Sequence, residues 1–287
     1  MLINMIVNQI KTVLLLGILT GLLLVVGGLL GGQSGLTIAL ILAFIMNFGM
    51  YFFSHKIVLM MYHAKEAPKS QYPKLHSMIE EICKEADLPK PRVYIVPTNN
   101  LNAFASGPSK KKAVVAVTEG ILGSLTHDEL KGVLAHELSH IKNRDMLVTT
   151  IAATIAATIS YIASMARFAA IFGGGRNDNN GRSNILSLLL LGILTPIIAM
   201  IIQLAISRKR EYLADERGAH LLKNGEPLAR ALEKLELSNK RNPLRFGSPT
   251  TSSLFIVNPF SGQAFISLFS THPPITERCK RLRNLKL

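Results

Sequence analysis

Long parts of this 287-residue chain lack charge altogether. No Asp, Glu, Lys or Arg occurs between Lys11 and Lys56, between Asp145 and Arg167, or between Arg182 and Arg208. Gaps of that length argue against an ordinary soluble domain, because a hydrocarbon core about 30 Å thick is crossed by about 20 apolar residues of helix. The first gap is long enough for two crossings, with GGQSG at residues 31–35 supplying turn chemistry between them. Membrane helices are therefore expected near residues 12–30, 36–56, 147–170 and 184–206. Thr149, Thr150, Thr154 and Thr158 make the third less apolar and suit close helix packing, and Pro196 predicts a kink in the fourth. The first run is too long for a signal-peptide core and has no small-residue cleavage site, so it reads as a retained anchor.

Cysteine is scarce too, with only Cys83 and Cys279, which excludes a disulfide framework and any CxxC metal site. Acidic residues are few, 18 against 32 Lys and Arg. Of those 32, 13 fall in residues 56–144 and 15 in residues 208–286, leaving one before the first helix and three around the 173–183 loop. The excess of basic residues places the two large segments inside, with both termini in the cytoplasm and both short connections outside. A net charge of +14 invites a nucleic-acid reading. The basic residues are instead scattered beside membrane helices, where anionic lipid head groups account for them, and no nucleic-acid motif accompanies them.

Between the apolar runs, "YPKLHSMIEEICKEADLPKP" spaces Leu75, Met78, Ile79, Ile82 and Ala86 as an amphipathic helix closed by prolines. "RVYIVP" and "KKAVVAVTEGIL" read as strands separated by "TNNLNAFASGPSK", a hairpin or exposed edge. Thr126 and Glu129 have capping-box spacing and start another helix. The later stretch "SRKREYLADERGAHLL" has no helix breaker before Gly218, and a further helix is expected over roughly residues 227–237. Residues 242–274, rich in Pro, Ser, Gly and Phe, read as a long loop or irregular strands.

The chemistry lies in "VLAHELSHIKNRDM", residues 133–146. His136 and His140 are four residues apart and project from one side of a helix, with Glu137 beside the first. This is HExxH, in which two imidazoles bind zinc and the glutamate handles a proton of water. A zinc hydrolase needs a third protein ligand and an open fourth position. Glu211, on a separate helix 71 residues after His140, is the best candidate. Asp215, four residues further, is placed to hydrogen-bond the free nitrogen of a ligand histidine and fix its tautomer. The alternative for both acids is pairing with Arg208 or Lys209. His55, His63, His76, His127 and His220 have no ligand spacing and read as packing or surface residues.

Taken together, "AHELSHIKNRD", "EYLAD", "NAFASG" and "STHPPITERCKRL" resemble the HtpX family of membrane zinc metalloproteases over nearly the whole chain. The resemblance implies one Zn²⁺ held by His136, His140 and Glu211, with Glu137 moving the proton and His272 near the metal stabilising an oxyanion. It also implies that Asn102, Ala103, Phe104 and Ala105 border the substrate cleft, where an extended peptide would pair as an added strand; the alternative is a plain hairpin tip. The expected fold is mainly α with a small β-sheet: a polytopic helical membrane protein carrying a cytoplasmic zincin-like catalytic domain. Residues 1–60 and 147–207 would form the membrane part, and residues 61–146 and 208–287 the catalytic part.

The function so implied is endoproteolysis at the cytoplasmic face of the bacterial plasma membrane, acting on protein or peptide substrates such as unfolded membrane-protein segments in quality control. Two alternatives stand beside it. A site-2-type intramembrane protease also carries HExxH but buries it in lipid, where Asp128, Glu129, Lys131, Lys142 and Arg144 would be costly. A zinc-stabilised membrane scaffold would carry the metal without turnover.

Overall fold

In the computed structural model the described residues are 2–143, 145–156, 159, 208–244, 249–258 and 272–287. The first element, α1 (Leu2–Met61), is two helices merged across a kink at Gly32. With φ 54° and ψ −135°, Gly32 adopts a backbone that a side chain would strain, so the break falls inside the expected GGQSG turn. The chain reverses there, because Asn47 Nδ2 on the second arm donates to Thr20 Oγ1 on the first at 2.7 Å. The arms hold two helices long and apolar enough to cross a membrane, Val7–Val25 and Gly32–Met61. Val13, Ile38, Phe44 and Ile45 point outward and exposed, a face that lipid solvates at no cost and water does not.

Strand β1 (Lys65–Glu66) and helix α2 (Pro73–Ala86) follow. Proline opens α2, Asp87 closes it in the left-handed region, and the stripe from Leu75 to Ala86 is buried as its spacing predicts. Strands β2 (Arg92–Val96), β3 (Ala103–Ser106) and β4 (Val114–Thr118) complete a four-stranded sheet of order β1-β2-β4-β3. β4 runs parallel to β2 and antiparallel to β3. The expected pair of strands is thus four. Every residue of β4 is buried, so its backbone groups need a partner on both sides, and the NAFAS stretch supplies one as an edge strand.

Helix α3 (Glu119–Ser124) leads into α4 (His127–Asn143), which carries the HExxH residues. Its capping box forms: Thr126 N donates to Glu129 Oε2 at 2.9 Å, and Glu129 N donates to Thr126 Oγ1 at 3.4 Å. Apolar helix α5 (Met146–Ala156) packs Val148, Ile151 and Ile155 against Leu15, Leu19 and Met50 of α1. Residues 157–158 and 160–207, with the rest of the third expected span and all of the fourth, lie outside the described residues.

Helices α6 (Arg208–Leu222), α7 (Glu226–Arg241) and α8 (Ile275–Arg283) complete the fold. α4 is its centre: α2, α6, α7 and β3 all pack on it. Val133, Leu134, Leu138 and Ile141 meet Ile79, Leu232, Leu235 and Cys279 in one core. Cys83 and Cys279 are free and buried, and burial pushes both thiols up to about 11, so they pack rather than react.

Candidate metal centre

The site is assembled where α6 crosses α4. Gly218 permits the approach, since a Cβ there would lie 3.1 Å from His136 N and 3.2 Å from Ala135 C. The sequence shows no helix breaker before Gly218; α6 runs through that glycine to Leu222, and the glycine serves the crossing. Asp215 and Glu211 precede it on the same face. His136 Nε2 lies 3.7 Å from Glu211 Oε2, His140 Nε2 lies 3.6 Å from Glu211 Oε1, and the two Nε2 atoms are 3.1 Å apart. One donor atom from each residue falls within 4.8 Å of the others. Gly218→Val is expected to force the helices apart at a cost of about 1–3 kcal/mol. Bound zinc and thermal unfolding in detergent check this, and an unchanged metal content would show that the crossing tolerates the side chain.

Both imidazoles are oriented from behind. Asp215 Oδ1 is 2.9 Å from His136 Nδ1, and Asp145 Oδ2 is 3.2 Å from His140 Nδ1. Each carboxylate keeps the proton on Nδ1, which leaves both Nε2 lone pairs converging on one point. Arg278 Nη2 also approaches His136 Nδ1, but at 3.5 Å it is too long to compete with the carboxylate.

Converging lone pairs beside a carboxylate call for a cation. Burial disfavours a charged His140, yet Asp145 and Glu211 more than offset it and hold the imidazole up at about 10, so the surroundings favour a positive charge, a proton or a metal ion, where the Nε2 atoms converge. Burial likewise raises the Glu211 carboxyl, but His140, His272 and Arg278 bring it down to about 2. Glu211 Oε2 is buried without a hydrogen-bond partner among the described residues. An N, N, O donor set with an unsatisfied buried oxygen fits Zn²⁺.

Glu137 is buried next to the histidines, and burial, the largest influence on it, raises its carboxyl above the ordinary value while the Ala105 N–H donates to it. His272 lines the same cavity as His136, His140, Glu137 and Glu211. Burial first, then Arg278 and the other imidazoles acting against Glu211, lower its pKa, so it stands neutral with a ring N–H to give.

The four residues expected along the cleft separate. Ala105 lines the cavity. Asn102 is fully buried and its Nδ2 donates to Val257 O at 2.6 Å. Ala103 O accepts from Ile256 N at 3.3 Å, so the added-strand position expected for a peptide is held at that point by the chain itself. Phe104 packs edge-on against Phe255, whose ring meets Tyr62 in turn, and does not itself line the cavity. The stretch 253–256 lines a cavity of about 30 Å³, room for an ion or a water.

Two residues of the centre escape sequence reasoning. Asp145 stands five residues after His140, beyond the end of α4, so helical spacing gives no sign of it. Arg278 is completely buried; its Nε and Nη2 donate to Asp215 at 2.8 and 2.7 Å, and Nη1 donates to Ile256 O at 2.9 Å. A signal for it existed: Arg278 shares the apolar face of α8 with Ile275, Cys279 and Leu282, where a charge needs a buried partner.

A site of this build, with a glutamate beside paired histidines and a carboxylate from a second helix, is that of a metalloprotease. The profile of Peptidase family M48 matches residues 69–286, and the chain belongs to that family, among its HtpX members. Similar proteins include the protease HtpX homologs of Syntrophobacter fumaroxidans, 52% identical over 83% of this chain and 85% of that one, and of Pyrococcus furiosus, 51% identical over 83% and 82%. The homolog of Persephonella marina is 53% identical over 81% of each. The crystal structure of S. mikatae Ste24p shares the fold, with a TM-score of 0.51 at 19% identity over 98% of this chain and 67% of that one. With its two candidate spans, the chain is a membrane metalloprotease.

Proposed function

We propose that this chain is a zinc endopeptidase that cuts unfolded segments of membrane proteins on the cytoplasmic side of the bacterial plasma membrane, in protein quality control. The observation that carries the reading is the meeting of His136, His140 and Glu211 beside Glu137. These three side chains would hold one Zn²⁺, which when bound would polarise the scissile carbonyl and activate water. Glu137 takes the proton of the attacking water and passes it to the leaving amine; its burial makes it a stronger base than an exposed glutamate. His272 gives a ring N–H to the carbonyl oxygen as that oxygen becomes anionic. Asp215 and Asp145 keep the ligand imidazoles in the tautomer that offers Nε2.

Residues 1–60 and 147–207 serve as the membrane part, and residues 61–146 with 208–287 as the two pieces of the catalytic part. The exposed Asp128 and the ion pairs of Glu129 with Lys234 and of Lys131 with Glu81 lie on or beside α4 and favour a site in water rather than in lipid. Substrate reaches the centre beside Ala105. The test is cleavage of an unfolded membrane protein by the detergent-purified chain. Chelation is expected to abolish it and added zinc to restore it, and equal cleavage with and without chelator would reject zinc proteolysis.

A further inference from the structure

Away from the metal centre, a groove of about 520 Å³ opens where the second arm of α1 meets the loop joining β3 to β4. Five cations line it: Lys56, Lys90, Arg92, Lys111 and Lys112. Among the described residues no acidic one does. Elsewhere on the folded part, Lys69, Lys131, Lys234, Lys240, Arg281 and Arg283 each meet a carboxylate within 3.1 Å, and cations without such a partner among the described residues, Lys74 and Lys84 for example, lie outside this groove. Here Lys90 reaches out to Glu80, whereas among the described residues Arg92, Lys111 and Lys112 have no carboxylate within ion-pair distance. Like charges held together in this way cost energy unless an anion joins them.

The other wall is apolar. Phe48, Phe52 and Phe53 line the groove from the α1 arm, each between 43% and 55% exposed. Lys56 is the first charge after the long uncharged run, and its ammonium sits 5.2 Å from the Phe53 ring. An aromatic cluster ending at a lysine is the pattern of a helix leaving the bilayer at the head-group level. The cations from β2 and from the turn at Lys110–Lys112 therefore stand at the level of lipid phosphates, beside rings at the level of upper acyl chains.

We propose that this groove binds an anionic glycerophospholipid, with its phosphate among Arg92, Lys111 and Lys112, its acyl chains along Phe48 and Phe52, and Lys56 at the rim. The proposal rests on reading residues 36–56 as membrane-spanning. A soluble anion or an acidic peptide would gain from the cations but make no use of the rings. One ligand class satisfies both walls.

The test is native mass spectrometry of the full chain in detergent, titrated with phosphatidylglycerol or phosphatidylcholine. The parent is expected to retain phosphatidylglycerol and not phosphatidylcholine. Replacing Arg92, Lys111 and Lys112 by Gln together should lower retention by about 100-fold, from roughly tenfold or less per cation. A control with Lys74, Lys84 and Lys240 replaced by Gln should retain it like the parent. Phe48→Ala with Phe52→Ala should weaken lipid but not inorganic phosphate. Equal loss in both triple variants, equal competition by inorganic phosphate or an acidic peptide, or unchanged retention in the Arg92 set would each overturn the lipid site. Carbonate extraction of membranes separates the two readings. Release of the parent would remove the spanning helix and the lipid site with it, while retention in the bilayer without selective lipid binding would remove the lipid site alone.

Discussion

Glu137→Gln is expected to lower peptide hydrolysis by about 10²- to 10⁴-fold while leaving one zinc per chain. The glutamine keeps the shape of the side chain and loses only the ability to take a proton. Glu137 is no part of the cluster formed by His136, His140 and Glu211, so their donor atoms stay where they are. Its carboxyl is raised chiefly by burial, against the pull of His136 and His140, which leaves it basic enough to accept a proton yet buried enough to have no ready substitute. Turnover of an unfolded membrane protein, measured beside metal content, decides the matter. Activity within tenfold of the parent would place the base elsewhere, and loss of zinc would make Glu137 a structural member of the site. A scaffold function would be untouched by the change.

The second large effect is on stability. Arg278→Met should destabilise the folded part by about 3–5 kcal/mol, because it strands a buried carboxylate. Arg278 has no exposed surface, and its guanidinium makes two hydrogen bonds to Asp215 and one to Ile256 O. Burial alone would raise the Asp215 carboxyl, but Arg278 and His136 hold it well below the usual carboxylate range. A depressed native pKa gives stability that is fully present above the unfolded value of about 3.9 and fades as pH falls through the native one. The parent should therefore keep this contribution through mild acid, and Arg278→Met should not. Unfolding in detergent across that range checks the sign. Asp215→Asn combined with Arg278→Met should be less damaged than Arg278→Met alone, since no buried charge is left unpaired; equal damage would mean that Arg278 acts through packing.

The Arg278 network also shows why part of the centre is illegible in a linear reading. HExxH is a local pattern: a helix repeats every 3.6 residues, so the spacing of His136 and His140 fixes their common face before any tertiary contact exists. The stripe of α2 and the box at Thr126 and Glu129 are local in the same sense, and both form. Asp145 and Arg278 act through space on His140 and Asp215, across a helix end and across 63 residues of chain respectively. The edge of β3 is a further case. Nothing in NAFAS reveals that Ile256 pairs with Ala103 while Asn102 holds Val257, because strand pairing over so long a separation is set by how the whole sheet closes.

By itself, then, the sequence determined the uncharged runs, the turn within GGQSG, the mainly helical class with a small sheet, and the histidine pair with its glutamate, all of which follow from composition or from a periodicity of a few residues. Tertiary structure alone decided that Gly218 serves a helix crossing, that Ala105 and not its three neighbours lines the metal cavity, and that Asp145 and Arg278 complete the centre. Those outcomes depend on which surfaces come together after the chain has folded, and a buried charge or a missing Cβ takes its meaning only from the partner opposite it.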